Sequence, residues 1–292
     1  MLMDCKKYSL GVDIGGTKTL IVMLDENKNI ICKKQYPTNR DICALAEKIT
    51  SFISESGISA GDIHSIGFGI CGITNFNSAV VVAAPAIDWF DVDLKSEIGK
   101  RFNFSFSVYA DNDVNCCAMG EKNVGLLCGI DEAFYIAIGT GIGGAPIIGG
   151  NIRRGFSHSA GEVGLFKCSH KNMFLEDRIS GSAINRRAAA FNMTSYEVFD
   201  RYNDDGSDKS GLIAEFTDEI AVLCANIINI LNPQRIIIGG GVSRSMRKII
   251  YDIRKKTDEL TPIKAEIELS ALDNDAAAIG AALLYRAGKR DN

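Results

Sequence analysis

No stretch of this sequence approaches the roughly 18 consecutive apolar residues that a membrane helix needs. No basic run is long either, which argues against nucleic acid as the main partner. The opening segment, MLMDCKKYSLGVDIGG, carries no extended apolar core ahead of a cleavage site, so no secretory signal is expected. A Pro- or Ser-rich tract dividing the chain is also missing, so two domains would share a hinge without a tether. What is missing from the cysteines is a pattern. There are nine, an odd number: Cys5, Cys32, Cys43, Cys71, Cys116, Cys117, Cys128, Cys168 and Cys224. They are scattered, mostly inside apolar segments such as CALAEKI and AVLCANII, as buried free thiols of a cytoplasmic protein would be.

What is present is the composition of a folded chain. Of 292 residues, 46% are hydrophobic and 23% charged, with a net charge of −4, so globular structure is expected rather than disorder. That length exceeds one ordinary core and suits two domains. Apolar runs ending in glycine turns predict strands over 8–13, 19–25 and 30–36, then 65–70, 79–84 and 106–110. Ile42, Leu45, Ala46, Ile49, Phe52 and Ile53 recur near 3.6 residues and predict a helix stopped at Gly57. Further helices are expected over 94–102 and from the polar run 111–115 to about Gly120. At Ala133 the pattern restarts: AFYIAIGTGIGGAPIIGG repeats the grammar of YSLGVDIGGTKTLIVML, strand, Gly/Thr-rich hairpin, strand, which points to an internal duplication. The hairpin turn is expected over 139–144. The remainder predicts helices over 179–191, 212–231, 247–256 and 276–285, with strands over 235–238 and 265–269.

Five short motifs carry chemistry. In Asp13-Ile-Gly-Gly-Thr-Lys18, Gly15 and Gly16 let backbone N–H groups approach a phosphate, Thr17 and Lys18 add donors, and Asp13 suits a hydrated magnesium ion. An ordinary hairpin turn reads the same way. Gly139-Thr-Gly-Ile-Gly-Gly144 also fits the dinucleotide pattern GxGxxG, with Glu162 as a ribose ligand. That motif requires a helix after the glycines, whereas AlaProIleIle is strand-like, so a second phosphate hairpin through Gly139, Thr140 and Gly141 fits better. Gly239-Gly-Gly-Val-Ser243 follows the strand RIIIG, and Gly240 and Gly241 would let adenine and ribose lie on the backbone; a plain strand-to-helix turn is the alternative. In Asp111-Asn-Asp-Val-Asn115, Asp111 or Asp113 is either a helix cap or a base for an alcohol. In Ser159-Ala-Gly-Glu-Val-Gly164, Glu162 suits sugar hydroxyls or is merely a solvent-exposed turn acid.

In this order and spacing, DIGGTKT, GTGIGG, NDVN, AGEVG and NPQRIIIGGGVS resemble the ROK group of bacterial sugar kinases and repressors, from about Leu10 to Tyr285. The resemblance implies an α/β fold of the actin-like ATPase type, the hexokinase/Hsp70 superfold, with two RNase H-like domains around a cleft that binds ATP and hexose. On this scheme residues 1–120 form the N-terminal domain, 121–275 the larger C-terminal one, and the helix near 276–292 packs back on the first. The resemblance places the catalytic base on Asp113, sugar ligands on Asn112, Glu162 and Glu176, and the loop backing the sugar at Gly72. It further implies ATP with Mg²⁺, a small-molecule sugar substrate, a cytoplasmic homodimer, and neither nucleic-acid nor membrane partners.

Two departures stand out. Leu165 replaces the histidine usual after Glu-x-Gly. Only PheLysCysSerHisLysAsnMet stands where the family has a cysteine-rich zinc loop, so no structural zinc is expected. The repressors' N-terminal helix-turn-helix is also without a counterpart, because the chain starts at its first strand. Transfer of a phosphoryl group from ATP to a hexose or hexose-derivative hydroxyl is the expected activity. Alternatives are a catalytically silent sugar-binding regulator and an ATPase activator of the same superfold, the latter carrying an iron–sulfur cluster.

Overall fold

A computed structural model describes residues 7–102, 105–167, 173–206, 208 and 210–287. They fall into two compact units. The first comprises the described residues of Met1–Cys128, Gly155–Ser159 and Asp275–Asn292, and the second those of Gly129–Arg154 and Ala160–Asn274.

The first unit begins with β1 (Tyr8–Ile14), β2 (Lys18–Leu24) and β3 (Ile30–Pro37), followed by α1 (Ile42–Ser56). After α1 come β4 (Ile63–Ile70), β5 (Ile73–Asn75), β6 (Val80–Ala84) and β7 (Trp89–Asp93). Then follow α2 (Leu94–Gly99), β8 (Ser107–Asn112) and α3 (Asp113–Val124). α1 forms where apolar spacing and caps agree. Asp41 accepts the Cys43 N–H at its start, and Gly57 closes it in the left-handed region at φ 70°, where a Cβ would be strained. Its buried face, Leu45, Ala46, Ile49, Phe52 and Ile53, joins Leu10, Val12 and Phe68 of the sheet in one core. The sheet order is β3-β2-β1-β4-β8, with β1 antiparallel to β2 and parallel to β4. β5, β6 and β7 make a separate antiparallel sheet, in which neither β5 nor β7 was legible as a strand. α2 ends at Gly99, short of the expected 102.

The second unit contains β9 (Ala133–Ile138), β10 (Ile142–Ile148), β11 (Asn151–Ile152), α4 (Glu176–Ile179) and α5 (Gly181–Ala188). It continues with α6 (Ser195–Asp205), α7 (Leu212–Leu231), β12 (Arg235–Gly239), α8 (Ile250–Leu260) and β13 (Glu266–Leu269). Its sheet order is β11-β10-β9-β12-β13. This repeats the first sheet strand for strand: a central strand, an antiparallel hairpin on one side and parallel strands on the other. The duplication read from the sequence is therefore a duplication of topology. The core gathers Phe199, Phe216, Ile220, Ile227 and Ile228 against Ile136, Ile236 and Ile238.

Two expectations are corrected here. The single helix over 179–191 is broken at Ser180, whose extended backbone (φ −66°, ψ 160°) ends α4 and whose side chain caps α5 through the Ala183 N–H. The turn expected over 139–144 is shorter, because Gly143 and Gly144 already lie in β10. Gly144 serves packing: a Cβ there would stand 2.5 Å from the Phe134 ring and 2.9 Å from the Gly161 carbonyl. α6 was not read as a helix, although Thr194 and Glu197 form a capping box, a pattern visible in TSYE.

The last α-helix among the described residues is α9 (Ala276–Ala282), which belongs to the first unit and packs on β1, β4 and α3. Its approach is close. Cβ atoms added to Gly11, Gly67 and Gly280 would lie 1.8, 1.8 and 1.7 Å from the carbonyl oxygens of Ala278, Ala281 and Cys116. The first unit also runs past 120 to Cys128. There the buried Glu121 carboxylate accepts the Leu126 N–H at 2.8 Å and ties the segment after α3 back to that helix.

Candidate active site

In the first unit, β1, β4 and β8 run parallel and end at Ile14, Ile70 and Asn112. Their carboxyl ends bring Asp13, the Cys71–Gly72 loop and Asn112–Asp113 to one edge, where open α/β sheets place their ligands. The helix cap is neither aspartate. Asn112 Oδ1 accepts the N–H groups of Val114 (2.8 Å) and Asn115 (3.3 Å), while its Nδ2 donates to the Gly72 carbonyl at 3.1 Å. Asn112 thus fastens the loop after β4 to the start of α3. Asp111 is 1% exposed and accepts from the Asn112 N–H (2.9 Å) and Asn115 Nδ2 (2.8 Å), which gives it an internal role. Asp113 is the first residue of α3, half-buried, and its Oδ1 accepts the Val114 N–H at 3.0 Å. A carboxylate there is favoured by the helix N-terminus.

Asp13 lies two strands from Asp113. Burial, and then the charge of Asp113, push its carboxyl up to about 8. The neighbouring Cys71 thiol is raised to about 11 by burial and by the same Asp113 charge. Two carboxylates held close enough to repel are a donor set that suits a hydrated divalent cation, whose charge would relieve that repulsion. Gly72 has a packing reason to be glycine, since a Cβ would stand 2.3 Å from the Ala83 carbonyl oxygen. The β1–β2 turn leaves Gly16, Thr17 and Lys18 exposed. It is braced from the far side by Thr38, whose hydroxyl donates to the Gly15 carbonyl at 2.7 Å and lies 3.0 Å from the Thr19 hydroxyl. Thr38 had not been singled out in the sequence, and only strand register brings it to the turn.

In the second unit the corresponding turn is Gly139-Thr140-Gly141, closed by the Gly139 N–H donating to the Gly141 carbonyl at 2.9 Å. A Cβ on Gly139 would meet nothing within 4 Å, so the space over it is open. Glu176, the first residue of α4, turns back toward this turn. Its Oε2 accepts the Ile142 N–H at 3.4 Å and would lie 2.9 Å from a Cβ at Gly141 and 3.3 Å from one at Gly164. The Glu162 side chain is exposed at the surface, as the turn-acid alternative has it, although its carboxyl is partly desolvated. Burial, and then the charge of Glu176, lift its carboxyl above the usual range. The two acids 14 positions apart in sequence thus share one neighbourhood with the glycine turn. Gly240 has φ 86°, and a Cβ there would lie 2.5 Å from the Ile138 carbonyl oxygen, so glycine is required twice over. Gly241 has open space around it.

Leu165 closes the short 3₁₀ turn after Glu162 and is 50% exposed. Of the possible zinc ligands, Cys168 and His170 lie outside the described residues, with Lys171 and Asn172. Among the described residues no group of three or more His, Cys, Asp or Glu side chains suits a metal ion. No helix among them is long and apolar enough to cross a membrane.

Two repeated sheets, each with a glycine hairpin at its central strand, define the actin-like ATPase fold. The ROK family profile matches residues 9–287, and the chain belongs to that family. The chain is 31% identical over 260 residues to the N-acetyl-D-glucosamine kinase of Yersinia enterocolitica, covering 80% of this chain and 84% of that one. It is 27% identical to the glucokinase of Halalkalibacterium halodurans, covering 96% and 95%. Among solved structures, the ROK family glucokinase from Streptomyces griseus, in complex with glucose and AMPPNP, superposes with a TM-score of 0.78. It shares 26% identity and covers 95% of this chain and 98% of its own.

Proposed function

We propose that this sugar kinase transfers the γ-phosphoryl group of ATP to a hydroxyl of a hexose or hexose derivative, with Asp113 as general base. The observation that carries this is the division of labour in the run 111–115. Asp111 is buried and spent on Asn112 and Asn115, and Asn112 is spent as cap and tether. Both hold the half-buried Asp113 at the carboxyl edge of the sheet beside Asp13. Kinase relatives over nearly the whole chain support the reaction class.

Asp113 takes the hydroxyl proton as the sugar oxygen attacks phosphorus, which general-base catalysis requires of a carboxylate within hydrogen-bond reach. The exposed backbone of Gly16–Lys18 and of Thr140 and Gly141, with the Thr17, Thr140 and Lys18 side chains, binds phosphate oxygens and stabilises charge on the transferring group, while Gly15 and Gly139 close the two turns. Mg²⁺, when bound, supplies further neutralisation of that charge, and Asp13 is the residue that would hold it through water. Gly240 and Gly241 give adenosine a side-chain-free surface. Glu162 and Glu176 accept bonds from sugar hydroxyls, and Gly72 backs the sugar.

A coupled ADP-release assay over hexoses, N-acetylhexosamines, ketoses and phosphorylated glycosides tests the proposal. At least one sugar should stimulate release, and a broad panel with none while ATP still binds would end it. Leu165 offers no hydrogen bond, and an apolar wall discriminates less than a polar one. Tolerance of several sugars, or preference for a substituted one, is therefore expected. A kcat/KM for glucose far above every other sugar would exclude this.

A further inference from the structure

The short α4–α5 corner grips the glycine turn from two sides. The Glu176 carboxylate accepts the Ile142 N–H after the turn, and the Gly181 N–H donates to the Gly139 carbonyl before it, at 2.8 Å. α4 has only four residues, one turn, and cannot hold its own position by helix hydrogen bonds. Its anchor lies on α7. Arg178, two residues after Glu176, pairs with Glu215, and its Nε lies 3.0 Å from Glu219 Oε1. Arg187, at the end of α5, pairs with the other Glu215 oxygen and donates from Nη1 to the Arg178 carbonyl at 3.2 Å. The cluster is two cations and two anions, so its charge balances within itself. Arg178 and Glu219 keep side-chain exposures of only 12% and 19%. Glu215 and Glu219 are four apart on α7, on one face of a long helix anchored in the core by Phe216, Ile220, Leu223 and Ile227. Burial alone would raise the Glu215 carboxyl, but the hydrogen bonds and charges of Arg187 and Arg178 hold it below the usual range.

We infer that Arg178, held by Glu215 and Glu219 with Arg187, is a positioning residue that fixes Glu176 against the 139–142 turn and so sets the sugar-binding geometry. This rests on the assignment of Glu176 as a sugar ligand. The guanidinium donates from Nη2 to Glu215 while its Nε stands 3.0 Å from Glu219 Oε1 as an ion pair, so one planar group meets two carboxylates, which a compact lysine ammonium does less well. Misplacement of a binding group by about 1 Å costs up to about 10²-fold.

The test is a double-mutant cycle on the whole chain, with KM and kcat for the best sugar and KM for ATP. Arg178→Ala should raise the sugar KM about 10- to 100-fold, with a smaller change in kcat, and Arg178→Lys should recover part of it. In a Glu176→Gln background, Arg178→Ala should change the sugar KM little further, because it acts through Glu176. An equal effect of Arg178→Ala in both backgrounds would overturn the inference and leave the Glu176 assignment standing. So would a lowered Tm with unchanged sugar KM. If Glu176→Gln alone leaves the sugar KM unchanged, the assignment itself fails, and the inference with it. Should Arg178→Ala not fold, Glu219→Gln breaks only one of the contacts. A sugar KM several-fold above wild type with an intact Tm then supports the inference, and an unchanged KM sinks it.

Discussion

The two sheets share strand order and direction, yet their central hairpins are built for different work. Four residues, 15–18, separate the last β1–β2 pair, Ile14 and Thr19, whereas three, 139–141, separate Ile138 and Ile142. The next-to-last residue of the central strand is Asp13 in the first unit and Ala137 in the second. The first turn is braced by a side chain, Thr38, and the second by a backbone group, the Gly181 N–H. Helix packing differs too. α9 lies against glycines with almost no side chain between, while α7 packs through Phe216, Ile220, Leu223 and Ile227. Duplication thus fixes topology, and single substitutions at equivalent points set the two hairpins apart, with the paired aspartates in one unit and the paired glutamates in the other.

The sharpest way to break this comparison is to remove Asp113, the proposed base, from the first unit. Asp113→Asn should lower kcat by about 10²–10⁴ with sugar affinity largely kept. Asp111→Asn, which disturbs buried hydrogen bonds, should cost about 1–3 kcal/mol of stability instead. Equal loss of kcat from both would mean the two act as one unit.

Next come the glycines. Gly280→Ala forces a Cβ to 1.7 Å from the Cys116 carbonyl oxygen, and should cost about 3 kcal/mol or prevent folding. Gly139→Ala meets nothing within 4 Å, so denaturant unfolding should change by less than about 1 kcal/mol while the KM for ATP rises. If Gly280→Ala is as stable as wild type, α9 does not pack as closely as described.

The acid pair gives a pH signature. Asp13 binds its proton more tightly folded, at about 8, than unfolded, near 3.8, so the native state holds the extra proton between those values. Stability should therefore fall as pH rises from about 4 to above 8, at no more than about 1.4 kcal/mol per unit. Asp13→Asn should flatten that slope and be the more stable protein at pH 9 in urea titrations without Mg²⁺. An unchanged slope would show that Asp113 and burial do not act on Asp13 as described.

The smallest effect separates the two braces. Thr38→Val removes one hydroxyl donor to Gly15 and should cost about 1 kcal/mol with a modest rise in ATP KM. An ATP KM identical to wild type would show that the brace does not matter for the nucleotide.

Much was legible in the residues because periodicity and punctuation are local. α7 runs over the expected 212–231, the repeated grammar of the two hairpins fixed the repeated topology, and five ordered motifs carried the family. Single-residue roles were less legible. Asn112, Asp111 and Asp113 are all cap-forming types, and only hydrogen-bond geometry shows that Asn112 caps and Asp111 is consumed internally. β5 and β7 escaped because three- and five-residue strands leave little alternation to read, and β7 carries Asp91 and Asp93.

By itself, then, the sequence determined most strands of the two large sheets and the long helices α1 and α7, where glycine allows close approach, and that two similar sheets form. Those follow from hydrophobic period and backbone sterics, which act over a few residues. Only the tertiary structure decided that Thr38 braces the turn at Gly15, that Glu162 and Glu176 share a neighbourhood, and that Arg178 is clasped by Glu215 and Glu219. These pairings join residues 14 to 41 positions apart, and nothing in local propensity selects one partner over another until packing has brought them within reach.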